Sequence, residues 1–469
     1  MALLVLALLF PSLTLSGSAQ NDCNCPRVLE KLVVKVETEY PGFRDVVKDR
    51  PAYERFKAQI MESARRAAPD ACLNILQEYL QYFKNSGHLQ LLKRETGPPG
   101  AEGTKQTLEI DIDAFIKRLE RNRDALEGIW SASGYRVGLV KRDSEWIAFI
   151  ISSPNENWKA GDIKFRLKAG GQATYMMRDH SARQDAYLVD ADSLIHFSGS
   201  QASFVRERPA SALTPEQIDD KLNEIEGFTL RPVGARTLLV KIPSFEYAYT
   251  SRIERLIKNG DALLKRFDNL IIDLRGNSGG ATASYRPLLP YLYTNPVRHL
   301  GGEYLVTRTL IDSLKNWVEN ADRIKDAGEI KAVQDDIQRM EGKTGLFIPY
   351  DADGEMISYS RQEAVLPCPK NVVILVDHES GSATEQFLLT AKQSRKVKVF
   401  GTPTFGAIDY LSVLEFSLDC EEYTLYMPTV RDARVSDYPL DMIGVQPDVY
   451  LDKYVQDWIA YALEYLERQ

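Results

Sequence analysis

The feature that most constrains the fold is an apolar run that ends in a turn of small residues. Residues 372–376 read Val-Val-Ile-Leu-Val, which is typical of a strand buried on both faces. Gly381, Ser382 and Ala383 close the turn, and a helical pattern covers 383–392 immediately afterwards. A strand that enters a helix through so short a turn predicts a parallel α/β unit, with Ser382 at the start of the helix.

Strands and helices alternate on both sides of this unit. Strands are predicted at 237–242 and 270–274, with a helix at 251–267 between them. The alternation predicts an α/β core over 230–455. A polar segment of helical composition at about 308–340 interrupts the core, and we interpret it as an insertion that is either a solvated spacer or a lid.

The residues before the core divide into distinct segments. Residues 1–19 form an apolar run followed by small residues, which predicts a signal peptide and therefore an exported protein, periplasmic or secreted. Residues 20–95 carry apolar positions at helical spacing and are predicted to form a helical cap domain. A Gly- and Pro-rich linker at 96–104 follows. Six short alternating runs within 105–206 then predict a small antiparallel barrel or curved sheet.

Charge and cysteine content restrict the partners. The chain has 58 Lys and Arg against 66 Asp and Glu, a net charge of -8, and no basic stripe, so nucleic acid is not expected as a partner. No segment is long enough in apolar residues to span a membrane. Cys72 is expected to pair with Cys23 or Cys25, and an odd total of 5 cysteines leaves a thiol over. No His cluster has ligand spacing, so neither a metal nor a cofactor is expected.

The position of Ser382 suits a nucleophile. The first turn of a helix offers unpaired N–H groups and the positive end of the helix dipole, which together stabilise an oxyanion. Serine is also a common N-cap, so the position alone does not decide the role. A second turn, after the preceding core strand, carries Gly279 and Gly280, whose N–H groups can point into a site. An ordinary strand-to-helix turn would explain these glycines equally well.

Three motifs in order resemble the tail-specific, or C-terminal processing, serine peptidases. They are Asp-Leu-Arg-Gly-Asn-Ser-Gly-Gly at 273–280, Ser-Ala-Thr-Glu at 382–385 and Gly-Thr-Pro-Thr-Phe-Gly at 401–406. The resemblance covers roughly residues 230–452. It implies a crotonase-like α/β core and hydrolysis of peptide bonds through an acyl-enzyme on Ser382. It also implies that the oxyanion is held by the N–H of Ala383 and by one from Gly279 or Gly280.

The general base departs from the family pattern. In the processing peptidases a lysine follows Phe-Gly and removes the proton, whereas this chain has Ala407. The sequence is similar instead to the tricorn-core branch, which uses a histidine and an acid. That branch implies His88 as the base and Asp441, three residues before Gly444, as the acid that holds Nδ1–H. The branch has glutamate where this chain has Asp441.

Two other histidines are alternative candidates for the base. His378, four residues before Ser382, is interpreted as a turn residue, and His180 in the β region is an outside candidate. The predicted function is an exported serine endopeptidase acting on a peptide or protein substrate. The alternative is an inactive family member that binds a peptide or a lipid. Ala407 favours the alternative, and the joint presence of Ser382, His88 and Asp441 favours the peptidase.

Overall fold

A computed structural model describes most of the chain. The described residues are 23–83, 87–93, 105–120, 124–132, 134–178, 180–319, 327–351, 353–418, 420 and 422–469. The predicted signal peptide at 1–19 and the predicted linker at 96–104 lie outside these residues. The chain divides into two compact units: the first is Met1–Glu95, Arg298–Ser360 and Phe405–Gly444, and the second is Thr96–Val297, Arg361–Thr404 and Val445–Gln469.

The first unit joins helices to an antiparallel sheet. Its helices span Cys25–Glu39, Phe43–Val46, Arg50–Arg66, Cys72–Gln81, Arg308–Glu319 and Ala327–Met340. Its main sheet contains Gln90–Lys93, Gly302–Leu305, Phe347–Pro349, Tyr410–Ser417 and Tyr423–Asp432, and Val297–Leu300 pairs with Ile357–Ser360 in a separate ribbon. Apolar helix residues such as Leu32 and sheet residues such as Leu425 share one buried core.

The helical prediction for 20–95 does not hold at its C-terminal end. Gln90–Lys93 is a strand that pairs antiparallel with the long strand of the sheet, with Leu91 opposite Leu425. Leu91 is buried whereas Gln90 and Leu92 are exposed, which is the period-two pattern of a strand with one buried face. The segment is too short for this period to stand out beside the preceding helices.

Two disulfides tie the N-terminal helix in place. Cys25 bonds Cys72, which is one of the two pairings expected from the sequence. Cys23 bonds Cys420 across a sequence separation of 397 residues. This pairing is not predictable from the sequence, because cysteine spacing carries no information over so long a separation. Cys368 is the thiol left over.

The second unit begins with a closed antiparallel barrel. Its strands are Gly128–Ala132, Tyr135–Arg142, Glu145–Ser152, Ile163–Lys168, Gln172–Met176, Ala182–Asp190, Leu194–Phe197 and Ala202–Arg208, and the helix Ile112–Leu119 precedes them. The sequence predicted six of these strands and missed Gly128–Ala132 and Leu194–Phe197. All four residues of Leu194–Phe197 are buried, so that strand has no polar alternation to detect.

A mixed sheet forms the rest of the second unit and confirms the α/β prediction. Its strands in spatial order are Thr229–Pro232, Thr237–Lys241, Asn269–Asp273, Asn371–Val376, Val397–Gly401 and Val449–Tyr450. Its helices are Pro215–Glu226, Thr250–Asn259, Asp261–Leu264, Thr282–Tyr285, Leu289–Leu292, Ala383–Ala391 and Trp458–Glu467. Only the first pair of strands is antiparallel.

The order of these strands positions the two turns predicted to form the site. The strands Asn269–Asp273 and Asn371–Val376 are parallel neighbours, with Asp273 opposite Leu375. Their carboxyl ends therefore meet at one edge of the sheet, where ligand sites form in open α/β sheets. Across the described part of the chain, the helices are each too short or too polar to cross a membrane.

Candidate active site

Ser382 occupies a strained backbone conformation at the start of a helix. It is the N-cap of Ala383–Ala391, with φ 53° and ψ -117°, a combination that non-glycine residues rarely adopt. Such strain persists only where the surrounding structure fixes it, and it concentrates at functional sites. The side chain is half-buried. The sharp turn between strand and helix is the geometry of a nucleophile elbow.

A buried carboxylate fixes the backbone of Ser382. Glu385, which is fully buried, accepts a hydrogen bond at Oε2 from the N–H of Ser382 over 2.9 Å. Its other oxygen accepts from the hydroxyl of Thr404. Thr404 Oγ1 in turn accepts from the N–H of Val445 over 2.7 Å. The carboxylate thus links the strained turn to a neighbouring segment of the second unit.

Asn277 locks the Gly-rich turn to the serine turn. Its Oδ1 accepts from the N–H of Gly279 and from the hydroxyl of Thr384, each over 3.0 Å. Its Nδ2 donates to the carbonyl of Ile242 over 3.0 Å. Its main-chain carbonyl accepts from the N–H of Gly381 over 3.1 Å. Because Asn277 is completely buried, these bonds are shielded from water and fix both turns in one arrangement.

Gly279 allows the two turns to touch. A Cβ atom at this position would lie 2.7 Å from the carbonyl oxygen of Gly381 and 2.8 Å from the amide nitrogen of Ala383. It would also lie 2.8 Å from Cβ of Ser382. With φ of 106°, the backbone conformation itself favours glycine. The contact places the Gly-rich turn directly against Ser382 and the amide of Ala383.

Of the two candidate glycine amides, the geometry favours Gly280 as the oxyanion donor. The N–H of Gly279 already donates to Asn277. Gly280 forms a parallel bridge with Phe245, in which the Phe245 N–H donates to the Gly279 carbonyl and the Ala281 N–H donates to the Phe245 carbonyl. In this pattern the N–H of Gly280 points away from Phe245.

His88 is held by a main-chain carbonyl. Its Nδ1 lies 2.6 Å from the carbonyl oxygen of Tyr410. A carbonyl only accepts, so Nδ1 carries the proton and, in the neutral ring, Nε2 carries the lone pair of a base. Asp441 is the predicted partner of Nδ1–H, and the contact with Tyr410 was not predicted, because a main-chain carbonyl leaves no signature in residue type.

Asp441 and Asp409 each accept hydrogen bonds from the main chain at the other residue. Oδ1 of Asp441 accepts from the N–H groups of Ile408 and Asp409, each over 2.8 Å. The carboxylate of Asp409 accepts from the N–H groups of Leu440 and Asp441, each over 2.9 Å. We call these four bonds the aspartate clasp. It joins residues 408–409, which immediately precede Tyr410, to residues 440–441.

A buried arginine completes the clasp. Arg434 Nη1 lies 3.0 Å from Oδ1 of Asp409, and its Nη2 donates to the carbonyl of Ile408 over 3.0 Å. The pair is almost fully buried, so each charge depends on the other to offset its loss of hydration. Burial raises the pKa of the nearby Asp432 carboxyl, and the charge of Arg434 opposes that rise.

The position that holds lysine in the processing peptidases is apolar and closed here. Ala407 is buried. The preceding Gly406 has φ of 78°, and a Cβ there would lie 2.6 Å from the carbonyl oxygen of Leu440. The N–H of Met442 donates to the Gly406 carbonyl over 3.0 Å. The backbone of the Phe-Gly motif is thus closely packed against residues 440–444, with alanine at the position after it.

The two rival histidines have other surroundings. His378 is exposed on the turn that follows the Asn371–Val376 strand. His180 packs against Trp158 with ring centroids 4.1 Å apart, and its Nε2 lies 3.1 Å from the carbonyl oxygen of Asn157. These contacts attach His180 to the barrel.

The structure therefore divides the predicted site residues into two sets. Ser382, Ala383, Gly279 and Gly280 come together in the second unit, whereas His88 and Asp441 both belong to the first. Within the part of the chain that is described, no group of three or more His, Cys, Asp or Glu side chains is arranged to hold a metal ion.

The chain is similar to known proteins in part of its sequence and in its fold. Residues 312–451 match the sequence model of peptidase family S41. No curated protein matches the chain. The fold is similar to mature CPAF in complex with lactacystin, with 12% identity, a TM-score of 0.46, and coverage of 95% of this chain and 98% of that chain.

Two further solved structures align over most of this chain. The photosystem II D1 C-terminal processing protease has 14% identity and a TM-score of 0.36, with coverage of 94% of this chain and 95% of that chain. The tricorn protease has 12% identity and a TM-score of 0.41, with coverage of 95% of this chain and 37% of that chain.

Proposed function

We propose that this chain, whose residues 312–451 match the model of peptidase family S41, hydrolyses peptide bonds through an acyl-enzyme on Ser382. The observation that carries the proposal is the contact of the Gly-rich turn with Ser382 and Ala383, at a backbone conformation that is strained on the serine. The proposal also assigns a crotonase-like fold to the α/β core.

The oxyanion is held by main-chain amides in this proposal. Ala383 supplies the first N–H of the helix, which has no acceptor within the helix itself. Gly280 supplies the second N–H, since that of Gly279 is engaged by Asn277. Fixed donors of this kind stabilise the negative charge that develops on the substrate carbonyl oxygen, and each is worth roughly 3 kcal/mol in the transition state.

His88 acts as base and then as acid. Nε2 removes the proton of the Ser382 hydroxyl while Oγ bonds to the carbonyl carbon of the substrate. The same proton passes to the leaving amine as the C–N bond breaks, leaving an ester on Ser382. Water then attacks the ester, gives its proton to Nε2, and releases the acid while Oγ regains a proton. Asp441 supports the base by fixing the chain next to Tyr410.

Export from the cytoplasm is part of the proposal. The apolar leader at 1–19 supports it, and so do the two disulfides, because disulfides persist in oxidising compartments. The second candidate function is a binding protein without turnover, and the buried Ala407 at the lysine position favours it.

A fluorophosphonate probe tests the proposal without a known substrate, because its phosphorus reacts with an activated serine and releases fluoride. Labelling of the purified chain is expected to be abolished by Ser382→Ala and to persist in Ser278→Ala, a change at an exposed serine of the neighbouring turn. His88→Gln is expected to slow labelling by about 10²- to 10⁴-fold, the typical contribution of a general base. Hydrolysis of fluorescein-casein should likewise be abolished in Ser382→Ala, slowed in His88→Gln and kept in Ser278→Ala.

The binding alternative predicts a different outcome. If folded protein takes up no probe, or if label remains on Ser382→Ala, the peptidase proposal fails. If His88→Gln labels at the rate of the unaltered chain, Ser382 is a nucleophile with another base.

A further inference from the structure

The carbonyl of Tyr410 has a chemical task that requires it to be fixed. A neutral imidazole exists in two tautomers, and only the one with its proton on Nδ1 leaves Nε2 able to accept a proton. The 2.6 Å contact from His88 Nδ1 to Tyr410 O selects that tautomer. A carbonyl selects a tautomer only while it keeps its direction, so the peptide chain around Tyr410 must resist rotation.

The side chain of Tyr410 holds one end of this residue. Its ring is buried and packs on the ring of Tyr40, with centroids 5.2 Å apart. Its hydroxyl donates to Oδ2 of Asp45 over 3.3 Å. Strand pairing places Tyr410 opposite Arg431. These contacts fix the ring of Tyr410 and the start of the strand Tyr410–Ser417. Other groups fix residues 408–409, which precede it.

The two residues before Tyr410 are held by the aspartate clasp, and the carbonyl of Asp409, in the peptide that leads into Tyr410, accepts from the N–H of Asp432 over 2.9 Å. Asp409, which is 2% exposed, accepts from two N–H groups of residues 440–441 and from Arg434. Asp441 returns two bonds to the N–H groups of residues 408–409. We infer that Asp409 is a positioning residue of the proposed peptidase, and that it sets the tautomer of His88 by fixing the carbonyl of Tyr410.

An amide cannot replace the Asp409 carboxylate in this arrangement. The carboxylate faces three N–H donors, from Leu440, Asp441 and Arg434. Asparagine has the same size but offers one acceptor oxygen, and its NH₂ group would face donors. Asp409→Asn therefore disrupts the clasp and leaves the charge of Arg434 buried without its partner, while the shape of the side chain is kept.

Nitrogen NMR of the histidine rings tests the inference directly. The chain has only 5 histidines, so ¹⁵N-labelled rings are resolvable, and His88→Gln identifies the His88 signals. In the unaltered chain the neutral His88 ring is expected to show a protonated Nδ1. Asp409→Asn is expected to move the protonated-type shift toward Nε2 and to slow fluorophosphonate labelling of Ser382 by about 100-fold, the usual cost of a misplaced catalytic group.

Matched variants separate positioning from folding. Asp162→Asn makes the same substitution at an aspartate that is 1% exposed in the barrel and pairs with Lys105, and it should change neither readout. Tyr410→Phe removes the hydroxyl bond to Asp45 but keeps the carbonyl, so the tautomer should stay. Asp441→Asn, which opens the other half of the clasp, should shift the tautomer in the direction of Asp409→Asn.

Two results would overturn the inference. One is an unaltered chain whose neutral His88 carries its proton on Nε2, a result that needs no variant to fold. The other is a folded Asp409→Asn chain, with the four remaining histidine signals in place, that keeps the Nδ1–H tautomer. Since the tautomer is read without catalysis, either result can occur while Ser382 still labels, and a chain that never labels refutes the peptidase proposal separately.

Discussion

The serine turn and the surroundings of His88 are fixed in different ways. The serine turn depends on close approach of backbones, and Gly279 is required there because any side chain would collide with Ser382 and Ala383. His88 contacts a main-chain carbonyl, that of Tyr410, next to the hydrogen bonds between Asp409 and Asp441, which are distant from it in sequence. Steric exclusion leaves glycines in a sequence, whereas a hydrogen bond to a carbonyl leaves no particular residue. The close contact in the serine turn can therefore be predicted from residue types, whereas the hydrogen bond of His88 cannot.

The largest expected effect comes from breaking the steric requirement at Gly279. Gly279→Ala puts a methyl group 2.7 to 2.8 Å from three atoms of the serine turn, so the turns must separate and the proposed oxyanion donors are displaced. We expect fluorophosphonate labelling to slow by about 10³-fold, as when an oxyanion donor is lost. The measurement is the second-order rate constant of labelling.

A neighbouring glycine provides the control for that experiment. Gly276 also has a positive φ, of 75°, but a Cβ there would meet its nearest atom at 3.6 Å, the flexible carboxylate of Glu379. Gly276→Ala should cost about 1 kcal/mol of stability through its backbone conformation and leave labelling nearly unchanged. Equal labelling rates for the two variants would refute the role given to close approach.

The second effect concerns the long-range disulfide of the first unit. Replacing Cys23 and Cys420 by serine removes a bond that closes a separation of 397 residues. We expect the free energy of unfolding to fall by about 2 to 4 kcal/mol, with the change followed by urea denaturation. Cys368→Ser removes the free thiol and should leave stability close to that of the unaltered chain. If Cys368→Ser lowers the free energy of unfolding as much as the double replacement of Cys23 and Cys420 does, the long-range disulfide is not what stabilises the fold.

The smallest effect is expected at the carboxylate behind the serine. Glu385→Gln keeps the size of the side chain, but one acceptor must now serve the Ser382 N–H, and the hydroxyl of Thr404 must rotate. Labelling should slow by about tenfold, or roughly 1.4 kcal/mol. Glu379→Gln, at an exposed position in the same turn, is the control. If Glu385→Gln is labelled at the same rate as Glu379→Gln, the hydrogen bond from the Ser382 N–H to Glu385 does not set the position of the Ser382 hydroxyl.

Local pattern explains which parts of the fold were predicted. The strand at 371–376 and the helix after Ser382 were placed to within a residue because an apolar run and a small-residue turn are local signals. Leu194–Phe197 was missed because a fully buried strand has no alternation, and Gln90–Lys93 was missed because its pairing partner lies more than 300 residues away. The predicted helix 251–267 is two helices that meet at Gly260.

The sequence by itself determined the α/β class, the strand–turn–helix unit at Ser382 and the Gly-rich turn beside it. These rest on periodicity and on steric demands that restrict residue type over a few positions. Only the tertiary structure decided that Gly280 rather than Gly279 has the outward amide, that Cys420 bonds Cys23, and that the Tyr410 carbonyl meets His88. Such contacts join backbone groups or distant segments, and nearly every residue type offers the same carbonyl and N–H, so their partners are chosen by the folded chain alone.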